Sequence, residues 1–276
     1  VLKELKMLRE CLIRAFAALF VIMAIASCTS QGKSNNQARE LFDKASACYK
    51  ANPNSALRLL DALKKQYPDS VFLQRCALHL RTQINDIVIS RQIVENDSVL
   101  ASESAIKQQL SPKFKWVDEK DMVEGFWVES RLGGILEQGT AFQPRIDKGN
   151  NIYIATIVSG KNLGYSTITV NCNGNSISTP SAQSYSFGGH ELVTFHGEVC
   201  DSICKMLADN MGAGATVTFA GKRSYTMSLS PEVRSAIENT YRYCRASKLV
   251  HHATGLQIYL KEKRKINQKQ IEKTKL

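Results

Sequence analysis

Apolar residues recur every three or four positions over residues 37–110, every second position over much of 126–229, and every three or four positions again from Ser230 onward. The pattern therefore predicts helices, then strands, then a helix. Leu41, Phe42, Ala45 and Cys48 or Tyr49 share one helical face before Asn52-Pro53-Asn54 interrupts it. Ala56, Leu57, Leu60 and Leu63 resume the period, with Asn54 or Ser55 expected as the cap and Tyr67-Pro68-Asp69-Ser70 as the stop. A long helix is expected from Asp69 or Ser70, because Leu73, Ala77, Leu80, Ile84, Ile87 and Val94 keep close to seven-residue spacing. Asn96-Asp97-Ser98 is expected to interrupt it before Ile106 and Leu110, and Ser111-Pro112 closes the region. The last helix begins at Ser230-Pro231-Glu232, a serine cap followed by proline in the first turn. Its stripe of Val233, Ala236, Ile237, Tyr241 and Cys244 is continued by Leu249, Leu256, Tyr259 and Ile266. The two long helices are expected to pair within one molecule, since their heptads are too imperfect for a sustained coiled coil.

Between the helices lie short runs rich in β-branched and aromatic residues: 126–128, 140–146, 152–158, 166–172 and 191–196. Asp147-Lys148-Gly149-Asn150-Asn151 and Asn173-Gly174 supply residues able to adopt positive φ, and so read as hairpin turns. Ala215, Val217 and Phe219 alternate, Gly221-Lys222 turns the chain, and Tyr225, Met227 and Leu229 answer on the same side. A short helix over 199–210 interrupts the strands. The expected fold class is α+β: an N-terminal helical hairpin and long helix, an antiparallel β-rich middle forming one sheet covered by helices, and a C-terminal helix packing back on the N-terminal helices. In sequence these are a helical region at 37–111, a β-rich domain at 112–229 and a C-terminal helix with a basic end at 230–276.

The first apolar run, Ala15 to Ala26, follows Lys3, Lys6, Arg9 and Arg14 and is too short to cross a bilayer core as a helix, so it has the form of a secretory signal. Directly after its aliphatic stretch comes Ile25-Ala26-Ser27-Cys28, which resembles the lipobox of bacterial lipoproteins. The resemblance implies that Ile25, Ala26 and Ser27 are recognised by the signal peptidase, that residues 1–27 are removed, and that Cys28 carries a diacylglycerol and usually an N-acyl chain. Met7 also heads a cleaner signal. Several acyl chains on one cysteine suffice for stable attachment, so residues 28–36 read as a lipid-anchored tether and the body as held to the membrane without spanning it. Thr29 and Ser30 stand where an aspartate would resemble an inner-membrane retention signal, and no acidic patch follows the cysteine. Outer-membrane placement with a periplasm-facing body is the expectation.

Charge sharpens this picture. The 276 residues carry 36 basic and 25 acidic side chains, a net charge of +11. Without residues 1–27 the balance is 32 against 23. Such an excess raises the question of nucleic acid, which an exported chain rarely meets, and none is expected as a partner. The C-terminal stretch concentrates the excess: Lys261, Lys263, Arg264, Lys265, Lys269, Lys273 and Lys275 against Glu262 and Glu272. It reads either as a contact for anionic lipid, lipopolysaccharide or peptidoglycan, or as a solvated helix end whose lysines suit the C-terminal dipole.

Candidate chemistry is sparse. His190, His196, Cys200 and Cys204 are zinc-type ligands, but the cysteines lie one helical turn apart and the histidines about 20 Å apart on an extended strand, so no metal site is expected. Cys200 or Cys204 with His196 is the one local thiol and base combination, and it carries no family signature. Beyond Cys11 and Cys28 six cysteines remain, with Cys48 and Cys76 the most natural pair for a disulfide and burial as small hydrophobes the competing reading. Gly212-Ala213-Gly214 and Gly160-Lys161 read as turns, His251-His252 as surface, and Trp116, Trp127, Phe114 and Phe126 either as a sugar-stacking face or as sheet core. No cofactor is expected.

Residues 37–70 resemble a single tetratricopeptide hairpin, with Ala56, Leu60, Leu63 and Pro68 matching its second-helix pattern; a lone repeat must pack on something other than its own kind. The whole order of parts, with Arg145-Ile146-Asp147-Lys148-Gly149-Asn150-Asn151-Ile152-Tyr153-Ile154 inside the β block, resembles uncharacterised lipoproteins of Bacteroidota. Location and architecture are all that resemblance implies. The expected function is that of a non-catalytic envelope lipoprotein, a binding or scaffold module for a protein or envelope polymer. The alternatives are a periplasmic hydrolase or thiol enzyme using Cys200 or Cys204 with His196, and a helical assembly factor that oligomerises through residues 73–110 and 231–271.

Overall fold

A computed structural model describes residues 35–118, 125–133 and 139–275. Three helices open the described chain: α1 over residues 35–48, α2 at Pro53–Gln66 and α3 at Val71–Leu110. The cap of α2 is Asn52, two residues earlier than the sequence pattern suggested. Its side chain accepts from the Ser55 N–H at 3.2 Å, and Pro53 takes the first helical position, where a missing N–H costs nothing. Contrary to expectation, α3 also runs unbroken through Asn96-Asp97-Ser98. Asn96 is buried because its side-chain amide donates to the Ala253 carbonyl at 2.9 Å, giving the polar group a partner that local sequence does not reveal.

After a 3₁₀ turn at Ser111–Lys113 the described residues form ten strands, all paired antiparallel. They are β1 (Phe114–Val117), β2 (Phe126–Glu129), β3 (Ala141–Ile146), β4 (Ile152–Ser159), β5 (Thr167–Cys172), β6 (Asn175–Ser178), β7 (Ser184–Phe187), β8 (His190–Phe195), β9 (Ala215–Ala220) and β10 (Ser224–Ser228). Helix α4 (Glu198–Asp209) separates β8 from β9, and α5 (Pro231–Thr274) ends the described chain. The strands form two sheets, not the one expected: β1-β2-β3-β4-β8-β7 and β10-β9-β5-β6. The split arises because β5 takes β9 as its partner, Thr169 opposite Thr218, instead of continuing from β4. Local period alone does not encode that choice. The predicted turns are present. Asn150 has φ 60° while Asp147 accepts from the Asn151 N–H at 2.7 Å, and Asn173-Gly174 has φ 51° and 76°. Gly221 admits no side chain, since a Cβ there would lie 2.3 Å from the Gly164 carbonyl oxygen.

The described residues fall into two compact units. The helical unit comprises residues up to Glu95 together with Gln257 onward, and the β unit spans Asn96–Leu256. The helical unit has a small core of Ala38, Ala45, Ala56, Leu60, Leu63, Ala77, Leu80 and Ile84. As a lone hairpin requires, α1 and α2 pack on α3. Here α5 lies antiparallel beside α3: the Asn267 amide donates to the Thr82 carbonyl at 2.8 Å, and His79 Nδ1 meets Thr274 Oγ1 at 3.1 Å.

The β unit has a larger core drawn from both sheets and both helices: Phe142, Ile154 and Val193; Ile168, Val217 and Phe219; Cys200, Ile203 and Leu207; Ala236 and Ile237. Its two buried carboxylates, Glu129 and Glu191, have donors, while Ser184 Oγ, Arg234 Nε and Ser247 Oγ are buried without a hydrogen-bond partner. Glu129 accepts from the Arg131 guanidinium at 2.7 Å and from the Asn239 amide at 3.3 Å, and Glu191 accepts from the backbone N–H groups of Leu163 and Gly164. Within this unit the Asn96 bond to Ala253 joins α3 to α5.

Helix stripes differ from expectation at one point. Val94, Tyr259 and Ile266 are exposed, at 68%, 58% and 58%. The buried seven-residue series are Thr82, Ile89 and Asn96 on α3, and Ala246, Ala253, Leu260 and Asn267 on α5. A straight α-helix drifts roughly 20° per heptad from a strict seven-residue repeat. The apolar positions chosen from sequence thus rotate off the seam, and two asparagines and a threonine occupy it.

Candidate functional site

The first candidate is the imidazole and thiol set around α4. His190 and His196 lie at opposite ends of β8. The His190 ring nitrogen Nδ1 meets Ser159 Oγ at 2.7 Å, while the exposed His196 ring stacks on Tyr153 at 5.3 Å. Glycine at 197, with φ 93°, turns the chain into α4, whose inward face carries Cys200 and Cys204 one turn apart, both fully buried. The Cys200 thiol donates to the Phe195 carbonyl at 3.2 Å. Cys244 of α5 donates to the Asn150 carbonyl at 2.9 Å.

Burial disfavours the thiolate, pushing Cys200 up to about 11 and Cys244 to about 12; burial also holds Cys204 well above its ordinary value. Cys200 and Cys244 are protonated hydrogen-bond donors and Cys204 is buried with its proton, the opposite of an activated nucleophile. The six described cysteines are free thiols, Cys48 and Cys76 included, so that pair forms no disulfide. Among the described residues no cluster of three or more histidine, cysteine or acidic side chains is placed to hold a metal ion.

A cleft of about 310 Å³ opens beside His196, lined by Asp147, Asn151, Tyr153, Glu198 and Asp201. Two of its three carboxylates have partners: Asp147 holds the backbone and side chain of Asn151, and Asp201 meets Lys248 at 3.2 Å, leaving Glu198 beside His196. Trp116 and Trp127 sit opposite each other on β1 and β2, edge to face at 5.3 Å, both half-buried. Phe114 and Phe126 are core residues. Gly125 packs on the Trp116 ring, where a Cβ would lie 2.4 Å from Cζ2, so that ring is wedged against backbone. Gly160 and Gly212–Gly214 lie in turns between strands or before β9, and His251 and His252 are exposed on α5. Ile25, Ala26, Ser27 and Cys28 lie outside the described residues.

The second candidate belongs to the helical unit. A groove of about 620 Å³ runs between α3 and α5, with Asn85, Val88 and Ile89 on one side and Tyr259, Lys263 and Ile266 on the other. Lys263 Nζ stands 5.6 Å from the centre of the Tyr259 ring. The groove thus offers an apolar floor, an exposed aromatic edge and a polar rim on which Lys263 and Glu262 both stand. Tyr259 and Ile266 were legible in sequence only as core residues; that they line an opening depends on the phase of the seam.

Charge separates the two units. Residues 35–95 and 257–275 hold sixteen basic and eight acidic side chains, whereas residues 96–256 hold fifteen of each. Seven of the ten most exposed large apolar residues, Val71, Phe72, Leu78, Val94, Ile258, Tyr259 and Ile266, also belong to the helical unit. Among the described residues no helix is long and apolar enough to cross a membrane. No family model, no curated protein and no solved structure matches this chain.

Proposed function

We propose that this protein is a non-catalytic envelope lipoprotein, held by acylated Cys28 to the outer membrane with its body in the periplasm, whose helical unit binds a protein or an anionic envelope polymer. The observation that carries the reading is the segregation of charge in the sequence: residues 35–95 and 257–275 hold sixteen basic against eight acidic side chains, whereas residues 96–256 hold fifteen of each, and the first helix of the basic unit begins seven residues after Cys28. A neutral β unit and a basic helical unit suit a division between scaffold and contact surface. The α3 and α5 groove, with Val88 and Ile89 beneath and Lys263 at its rim, suits an amphipathic segment carrying carboxylates or phosphates. The thiol-enzyme alternative draws no support from sulfurs that are buried and held protonated.

A photo-crosslinking residue at Tyr259 tests the binding half in the native envelope. The expected result is a discrete crosslinked product that disappears when Lys263→Glu and Ile266→Asp are combined. Turnover in an unbiased periplasmic substrate screen, abolished by one side-chain change, would replace this function with an enzymatic one.

A further inference from the structure

Three parts of the helical unit converge at one end. The start of α1 is fixed to the start of α3 by the Ser70 hydroxyl, which donates to the Asn35 side chain at 3.1 Å, and by Tyr67 on Gln37 at 3.0 Å. The end of α5 is fixed to the same end of α3 by Thr274 on His79. His79 lies eight residues from Val71, about 12 Å along a helix. Here Val71 and Phe72 project into solvent, 62% and 71% exposed, which is unusual for adjacent large apolar residues with a core available. They border a cleft of about 450 Å³ together with Arg39, Phe42, Asp69 and Asn35. Lys269, Lys273 and Lys275 are exposed on the final turns of α5. Arg75, one turn after Val71, is exposed as well.

We propose that this end of the helical unit is a bilayer-docking surface. Val71 and Phe72 enter the boundary between headgroups and acyl chains, and Lys269, Lys273 and Lys275, with Arg39 and Arg75, pair with anionic phospholipid headgroups. The inference rests on the anchor at Cys28 and adds to it an orientation. Seven residues of chain from Cys28 to Asn35 reach at most about 25 Å, and Asn35 is bonded to the residue preceding Val71. An acyl chain on that cysteine therefore brings this end of the unit, before any other part of it, to the lipid surface. The chemistry awaiting the lipid there is what an interfacial contact uses: a short apolar wedge ringed by lysine and arginine. Asp43 and Asp69 share the cleft, so its rim is mixed, but the surrounding unit carries twice as many basic as acidic side chains.

The test uses the full acylated chain reconstituted in phosphatidylcholine vesicles with or without phosphatidylglycerol, with palmitate incorporation measured on the same preparation. Phe72→Trp reports insertion through quenching by brominated acyl chains, taken as the difference from the parent protein. Amide exchange over residues 69–78 reports the same event without substitution. Docking predicts quenching and slowed exchange that depend on phosphatidylglycerol. Neutralising Lys269, Lys273 and Lys275 to glutamine should lower the ratio of docked to undocked protein by roughly 100-fold, at about fivefold per cation. Palmitate present, with the Phe72→Trp indole unquenched and exchange unchanged, overturns the docking surface and leaves the anchor standing. Quenching that ignores both phosphatidylglycerol and the three lysines overturns the headgroup pairing. Palmitate absent overturns the anchor and this orientation together.

Discussion

The two units solve opposite problems. In the β unit, charge balances at fifteen against fifteen, the buried carboxylates of Glu129 and Glu191 have donors, and the cysteines are packed as small apolar groups. In the helical unit the core is thin, half of it alanine, while lysines and large apolar residues are left on the surface. Apolar surface left exposed next to unbalanced charge marks where a protein meets something else. The comparison teaches that exposed large apolar residues and unbalanced charge are here largely segregated from the larger core.

Perturbing each side should expose the asymmetry, and the deepest cut is Phe219→Ala. Phe219 is fully buried and meets Tyr165 edge to face at 5.3 Å. Its loss should cost about 4 kcal/mol in denaturant unfolding, with groove crosslinking intact while the chain remains folded. Leu63→Ala in the helical unit should cost about 3 kcal/mol. Because α1 and α2 hang on so few large side chains, amide exchange should accelerate in residues 35–66 before the β unit responds.

Alkaline titration comes next. Folded Cys200 keeps its proton until about pH 11, whereas an unfolded thiol releases it near 9.0. Its contribution is therefore full below pH 9 and is lost as pH rises toward 11, on the order of 3 kcal/mol before allowance for partial solvation. Cys200→Ala should flatten that limb of the stability curve, and iodoacetamide at pH 8 should label the Cys200 thiol only after unfolding. A smaller effect is expected at the seam. Asn267→Ala removes the donor to Thr82 and should cost about 1–2 kcal/mol. Lys263→Glu on the groove rim should change stability by less than about 0.5 kcal/mol while weakening crosslinking from position 259.

Much of the fold was legible in sequence because period, turn chemistry and capping act locally. The alternation of Ala215, Val217 and Phe219 reappears as alternating burial in β9, and Ser230-Pro231 opens α5 with the Val233 N–H on the serine hydroxyl at 3.3 Å. The misses share a cause. β6 and β7, Asn-Ser-Ile-Ser and Ser-Tyr-Ser-Phe, are four-residue strands at sheet edges with largely exposed side chains; the first has one apolar residue, and the alternation of the second, Tyr185 and Phe187, is too short to mark a strand. The second sheet depends on β5 choosing β9, and the continuity of α3 depends on a carbonyl 157 residues away from Asn96. Of the candidate sites, the weakness of the zinc-type set of His190, His196, Cys200 and Cys204 was visible from spacing alone. The groove was not, because Tyr259 and Ile266 are apolar residues at helical spacing, and only the rotation of the seam toward Leu260 and Asn267 turns them outward.

The central claim is that one covalent modification places the basic helical unit against a membrane. Intact-mass and N-terminal fragment analysis of the protein taken from its own envelope tests it most directly. The account predicts a chain that begins at Cys28, heavier than its sequence by a diacylglycerol and an acyl group. A chain that retains residues 1–27, or that begins at Cys28 without lipid, would contradict it.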